Sequence, residues 1–254
     1  MLTREELIEY IKDFSIKKDY VYAMWLEGAD GINKVDEYSD IDFWFDVKKE
    51  YLVSFLNEVV DEFSKLGDID SRVDDIRKEI AQSNIHLENT SKYLTLDICI
   101  QSHEIRGLEA TEFTKNDFAE LPLVLFDKKN IITFCERKEL DLEELKKIYL
   151  NQIYRINQAS RVEKYIKRNM YLEAYMKYIE NVANPLVTLA RIIYTPYHLD
   201  YVLCHISNHL PKEVVDELED MYKVTSLEDI EKRLNKAKIL LDKYQKVIKE
   251  KYKF

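Results

Sequence analysis

Only four glycines occur in 254 residues, and two of them, Gly28 and Gly31, fall in one turn. That turn joins an apolar run, Tyr20 to Leu26, to a polar loop and then to Asp40-Ile41-Asp42, which opens a second apolar run ending at Val47. A chain so poor in glycine that sets two of them three residues apart needs positive φ or a close backbone approach there. Such a turn suits a phosphate-cradling loop. Residues two apart in a strand share a face, so Asp40 and Asp42 project together while Ile41, Phe43 and Phe45 face a core. Two carboxylates so placed lie roughly 6–7 Å apart along the backbone. Hard cations with oxygen ligands at about 2.0–2.1 Å, in a pair about 3.5–4 Å apart, span that distance.

The rest of the first half reads as a frame for this stretch. Thr3 and Glu6 form a capping box ahead of Leu7, Ile8, Ile11 and Phe14 at helical spacing. Leu52, Phe55, Leu56, Val59, Val60, Phe63 and Leu66 make an amphipathic helix that stops at Gly67. Asp68 to Asp75 reads as an edge strand or a loop. Asn84 to Glu88 and Tyr93 to Ile100 flank a turn and predict a hairpin. On its second strand Leu94, Leu96, Ile98 and Ile100 share the apolar face, leaving Asp97 opposite, among Tyr93, Thr95 and Cys99. A carboxylate in mid-strand is costly to bury without a partner, and a metal shared with Asp40 and Asp42 would supply one. If Glu88 pairs with Tyr93, then Asn84 lies opposite Asp97; a slip of one residue moves both to the other face. Leu123 to Asp127 and Ile131 to Phe134 predict a further strand pair around an Asp-Lys-Lys-Asn turn.

After about Leu140 the pattern is helical, with helices predicted near 141–168, 170–182, 185–194, 200–209, 211–223 and 226–251. Pro185 and Pro211 suit first turns and Pro196 a break. The boundary falls near residue 138, giving segments 1–138 and 139–254. The fold class expected is α+β, a mixed sheet with flanking helices, followed by an all-α helical bundle.

The motif Gly28 to Gly31 followed by Asp36-Glu37-Tyr38-Ser39-Asp40-Ile41-Asp42 resembles the signature of the nucleotidyltransferase superfamily with a polymerase-β-like catalytic domain. Within it the stretch is most similar to the small-molecule branch, the aminoglycoside and lincosamide nucleotidyltransferases and their bacterial relatives. Leu125-Phe126-Asp127-Lys128 and segments of the helical half, such as Asn184-Pro185-Leu186, resemble the same relatives. The resemblance implies that Asp40, Asp42 and Asp97 are catalytic carboxylates holding two Mg²⁺ ions. It also implies that Gly28, Ala29, Asp30 and Gly31, with Ser39, bind the nucleotide. Where the family usually has serine after the first glycine, this chain has Ala29, and Asn33 stands where relatives often have a second glycine. These departures leave an alternative, a weakened or vestigial enzyme that acts as a nucleotide-binding protein.

The reaction implied is transfer of a nucleoside monophosphate from a nucleoside triphosphate, ATP first, to a hydroxyl of a small acceptor, with pyrophosphate leaving. Glu88 is the candidate general base. Arg161, Lys164 and Arg168 recur at helical spacing and are candidates to balance triphosphate charge, although a cationic helix face is usually only solvated. The acceptor is expected between the two segments. A formal net charge of −10 argues against a broad nucleic-acid footprint and suits a cationic acceptor. Three scattered cysteines, with no zinc spacing, point to a reducing cytoplasm. The acidic start lacks the apolar core of a signal peptide, and no apolar run approaches a membrane span of ~18 residues. His205 and His209 have i,i+4 spacing without a zinc motif and read as packing or surface residues rather than a zinc pair.

Overall fold

The computed structural model describes residues 2–104 and 111–254. The chain divides into two compact units, Met1–Arg137 and Lys138–Phe254.

In the first unit, α1 (Arg4–Ser15) starts at the capping box, with Thr3 Oγ1 accepting from Glu6 N and Glu6 Oε2 accepting from Thr3 N at 2.8 Å. Strand β1 (Val21–Leu26) leads into a single helical turn, α2 (Gly28–Gly31), and then β2 (Ile41–Val47). Helix α3 (Leu52–Ser64) buries Leu52, Phe55, Leu56, Val59, Val60 and Phe63, the stripe its i,i+3,i+4 spacing predicts. Strands β3 (Ile69–Ile76), β4 (Ile80–Leu87) and β5 (Leu96–Ser102) follow, then β6 (Glu112–Thr114), β7 (Leu123–Asp127) and β8 (Thr133–Cys135). Six of them form one mixed sheet in the order β3-β4-β5-β2-β1-β7. Phe43 and Phe45 of β2 join Leu7, Ile11, Phe55 and Phe63 in its main apolar core. The alternation that buries them puts Asp42 and Trp44 on the other face. The edge strand β3 is exposed and charged, with Asp70, Arg72, Asp74 and Asp75, which protects it from pairing with another chain.

Strand β2 runs parallel to β5, with Asp42 beside Asp97, and β4 runs antiparallel to β5, with Asn84 opposite Asp97. The expected pair of strands around the Asp127–Asn130 turn does not form. Strand β7 pairs instead with β1, and β8 lies parallel to β6. Asp127 explains the difference. Its carboxylate accepts from Lys129 N at 3.1 Å and from Ile132 N at 2.9 Å. This closes a local turn that drops Ile131 into a small cluster with Ala23 and Trp25, so the chain does not reverse along β7.

His86 fastens the turn after β4. Its Nδ1 lies 2.7 Å from Asp70 Oδ1, and its Nε2 lies 3.0 Å from the Ser91 carbonyl oxygen. Both partners accept, so the doubly protonated ring fits best. Burial works against that cation, but Asp70 and Ser91 outweigh it and raise the pKa above its ordinary value of 6.5. The stability His86 adds is therefore full below about 6.5 and is lost as pH rises through its raised folded value. The stability gap between wild type and His86→Gln, read by urea unfolding, should shrink steadily from pH 6 to pH 8. A gap that widens over that interval would contradict the imidazolium.

The second unit is helical: α4 (Leu142–Ile156), α5 (Ser160–Lys167), α6 (Tyr171–Tyr178), α7 (Asn184–Tyr194), α8 (Ile206–His209), α9 (Lys212–Tyr222) and α10 (Leu227–Tyr252). Three features depart from expectation. The helix predicted over 141–168 breaks after Ile156 and resumes as α5. Instead of ending before Pro185, α6 runs into α7 through a π turn over Ile179–Ala183. Proline has no N–H and its ring crowds the carbonyl four residues back, so a wider turn accommodates it. Most of the helix predicted over 200–209 is absent; Val202 and His205 take positive φ, and only Ile206–His209 is helical. Among the described residues, no helix is long and apolar enough to cross a membrane.

Candidate metal and nucleotide site

Asp40, Asp42 and Asp97 each present an oxygen, and these oxygens all lie within 4.8 Å of one another. Strand geometry brings this about. Asp40 and Asp42 enter β2 on one face, and the parallel register with β5 sets Asp97 at the side of Asp42. Among the described residues this is the only cluster of three or more metal-ligating side chains so close together. Burial, with the neighbouring Asp40, Asp97 and Asp30 carboxylates, pushes the Asp42 carboxyl up to about 6, while Arg4 pulls it down. Three hard oxygen donors whose charges repel are a donor set that divalent magnesium fits.

The glycine turn packs directly on this cluster. Gly28 has φ +57°, and a Cβ there would overlap Asp42 Oδ2. A Cβ on Gly31 would overlap the Leu121 carbonyl oxygen. The first N–H groups of a helical turn have no partner within it, which leaves this backbone able to bond a ligand. Gly28→Ala should destabilise the fold by about 1–2 kcal/mol through its positive φ. It should also weaken Mg²⁺ binding, because the new methyl displaces the Asp42 carboxylate. Thermal unfolding with a Mg²⁺ titration reads both; an unchanged Mg²⁺ affinity would separate the turn from the metal.

Two residues that the sequence did not single out also border the site. Arg4, on α1, pairs with Asp30 through two nitrogens, and its Nη1 donates to the Ser39 carbonyl at 3.1 Å. It ties the glycine turn to the loop just before Asp40. Glu27 precedes the turn, and its backbone N donates to the Asp42 carbonyl at 3.1 Å. Burial pushes the Glu27 carboxyl up to about 7, the Trp25 indole N–H pulls it down, and Asp42 and Glu120 push it further up. Nothing in a lone arginine of a first helical turn signals its partner 26 positions away. Glu27 did carry a signal, as a carboxylate closing an apolar strand beside a glycine.

Gly28 lies against Asp42, Asp30 is close enough to act on the Asp42 carboxyl, and Ser39 directly precedes Asp40. Ala29 and Gly31 share the glycine turn, whose Gly31 faces the Leu121 carbonyl. Glu88 is not gathered with the three aspartates. Glu88 is exposed, one residue past the end of β4, and stands outside the carboxylate cluster. Alternation put it on the right face, but the strand ends too soon for it. Asn84 faces the site instead, its Nδ2 donating to Asp97 Oδ1. Arg161, Lys164 and Arg168 belong to the second unit, where all three are exposed on or just after α5 while Val162 packs inward.

No family model matches the chain, and no curated protein matches it. Among solved structures it is similar to an aminoglycoside 6-adenyltransferase from Bacillus subtilis. That likeness is 18% identical, covers 98% of this chain and 91% of that one, and has a TM-score of 0.39. It is also similar to a nucleotidyltransferase-like protein from Exiguobacterium sibiricum 255-15, at 11% identity and a TM-score of 0.36, over 99% of this chain and 79% of that one. A spectinomycin adenyltransferase from Enterococcus faecialis, solved with ATP and spectinomycin, gives 11% identity and a TM-score of 0.33 over 94% of this chain and 100% of that one. The solved structures to which this chain is similar thus include nucleotidyl- and adenyltransferases, two of them named for antibiotics.

Proposed function

We propose that the protein is a metal-dependent nucleotidyltransferase of the polymerase-β-like superfamily, moving a nucleoside monophosphate from a nucleoside triphosphate to a hydroxyl of a small acceptor. One observation carries this reading: three aspartate oxygens within 4.8 Å of one another, packed against a glycine turn. Asp40 and Asp42 would hold two Mg²⁺ ions and Asp97 the one nearer the acceptor; bound there, the pair supplies Lewis-acid activation of the hydroxyl and charge stabilisation in an in-line displacement. The protein's own part is to hold the reactants. The backbone of Gly28 to Gly31 would receive the triphosphate, and Arg4 fixes that turn through Asp30. The acceptor oxygen forms its bond to the α-phosphorus as the bond to the bridging oxygen breaks; pyrophosphate leaves, and the hydroxyl proton passes to water. An acidic site favours a cationic acceptor, as an aminoglycoside would be.

The second reading, a nucleotide-binding protein without turnover, draws on Ala29, which brings no hydroxyl to the turn, and on Arg4, whose guanidinium is engaged by Asp30. Thermal unfolding with ATP, GTP, CTP or UTP, each with Mg²⁺ or with EDTA, tests binding. A triphosphate at about 100 Kd should add roughly 2.7 kcal/mol, a shift of several degrees, only when Mg²⁺ is present. No shift with any of the four would sink both readings. A shift without pyrophosphate release across a broad panel of hydroxyl acceptors would favour the second.

A further inference from the structure

In the second unit, α6 turns apolar side chains outward. Ala174 and Tyr178 are buried, while Leu172 is 75% exposed and Met176 47% exposed, with Tyr175 beside them. Leu172, Tyr175 and Met176 stand at i, i+3 and i+4, so they form one ridge. Single exposed apolar residues are ordinary, but a contiguous ridge of leucine, tyrosine and methionine has the composition of an interface core. A cleft of about 340 Å³ opens between α8 and α9 with an apolar floor of Leu203, Ile206, Val215, Leu218 and Tyr222. Tyr222 joins the two features. Burial pushes its phenol up to about 12, and the neighbouring Tyr175 pushes the same way. Ridge and cleft are therefore adjacent on one surface, and a leucine left so open does not fill the cleft of its own chain.

Charge points to the occupant and its direction. Glu173 and Lys177 flank the ridge four residues apart, and Glu219 and Lys223 edge the cleft four residues apart. Laid antiparallel, α6 of one copy against α9 of another sets Glu173 beside Lys223 and Lys177 beside Glu219 in a single register. Laid parallel, the same helices oppose Glu173 to Glu219 and Lys177 to Lys223. Existing partners are no obstacle. Lys223 pairs with Glu219 at 3.2 Å and Lys177 with Glu180 at 2.8 Å, both at the surface, where such pairs contribute little.

We propose that the protein forms a two-fold dimer through this face, α6 of each copy seated antiparallel in the α8–α9 cleft of the other. Such a contact is isologous: Leu172 and Met176 enter the partner's cleft, and the same residues of the partner enter this one. The inference stands apart from the aspartate site and holds whatever that site does.

Sedimentation equilibrium of the full chain tests it. The mass should rise from one chain to two between about 1 µM and about 1 mM. Leu172→Lys, at an open position, should melt with the parent and remain a single chain throughout. Glu173→Lys or Lys223→Glu alone should weaken pairing about tenfold, because the axis turns two attractions into two repulsions. Combined in one chain, the two reversals should restore pairing to within about threefold of wild type. Should Leu172→Lys lower the melting temperature, the charge reversals decide alone. A wild type that stays a single chain, a dimer that Leu172→Lys leaves intact, or a double reversal no tighter than the single ones would each overturn the proposal.

Discussion

Replacing Asp42 by asparagine is expected to abolish nucleotidyl transfer and, in the same protein, to raise the melting temperature of the metal-free form. The two effects have one origin. Asp42 sits half-buried among Asp40, Asp97 and Asp30, and its folded pKa of about 6 lies above the ordinary 3.8. A raised carboxyl contributes stability below its unfolded pKa, and that contribution is lost as pH rises through about 6. At pH 8 the folded protein therefore holds an anion it would rather not hold. A shift of this size corresponds to roughly 3 kcal/mol before screening. Solvent reaches the group, so about 1–2 kcal/mol is the realistic gain from removing the charge. That is a rise of about 3–6 °C for a chain of this length. The gain should fade as pH falls toward 5, where wild type protonates as well. Transfer, read as pyrophosphate release, should drop by at least about 10²–10³-fold, the scale of losing one electrostatic stabiliser. Mg²⁺ should stabilise wild type and leave Asp42→Asn unmoved. A variant that melts below wild type without metal would mean that Asp42 is held by favourable bonds rather than strained by repulsion.

The features that were legible in the sequence are those governed by period-two alternation. It placed Asp40 and Asp42 on one face, and with Phe43 and Phe45 buried on the other, β2 could take only one orientation. Asp97 was readable because Leu96, Ile98 and Ile100 claim the opposite face of β5. The pairing of Asn84 with Asp97 was readable only as one of two registers, since a slip of one residue leaves the composition of each strand unchanged. What escaped the sequence depends on long-range partners. Arg4 is a solvent-facing helix residue until Asp30 arrives, and β7 was assigned to the nearest strand in sequence although β1 is its partner in space. The 200–209 segment has helical apolar spacing and still does not form a helix over most of its length. There a single buried side chain overrides local preference.

That side chain, Arg191, carries the second large prediction. Arg191 lies on α7 and is fully buried. Its Nε donates to the Val202 carbonyl at 2.5 Å, Nη2 to the Cys204 carbonyl at 2.7 Å and Nη1 to Thr195 Oγ1 at 3.2 Å. Burial lowers its pKa, while Cys204, Asp200 and Tyr201 raise it. The guanidinium gathers carbonyls that a helix over 200–209 would have used itself, and Val202 is bent to φ +46° to present one of them. A β-branched residue there costs about 1–2 kcal/mol. Arg191→Ala should therefore destabilise the second unit by about 3 kcal/mol, from a cavity and from two carbonyls stripped of charged donors. Val202→Asn should stabilise wild type by about 1 kcal/mol, since asparagine tolerates the left-handed region. In the Arg191→Ala background the loop is free to relax, so the asparagine gain should vanish. A double-mutant cycle by denaturant unfolding would then give a coupling of about 1 kcal/mol. Strict additivity would mean that Val202 is held by something other than the arginine.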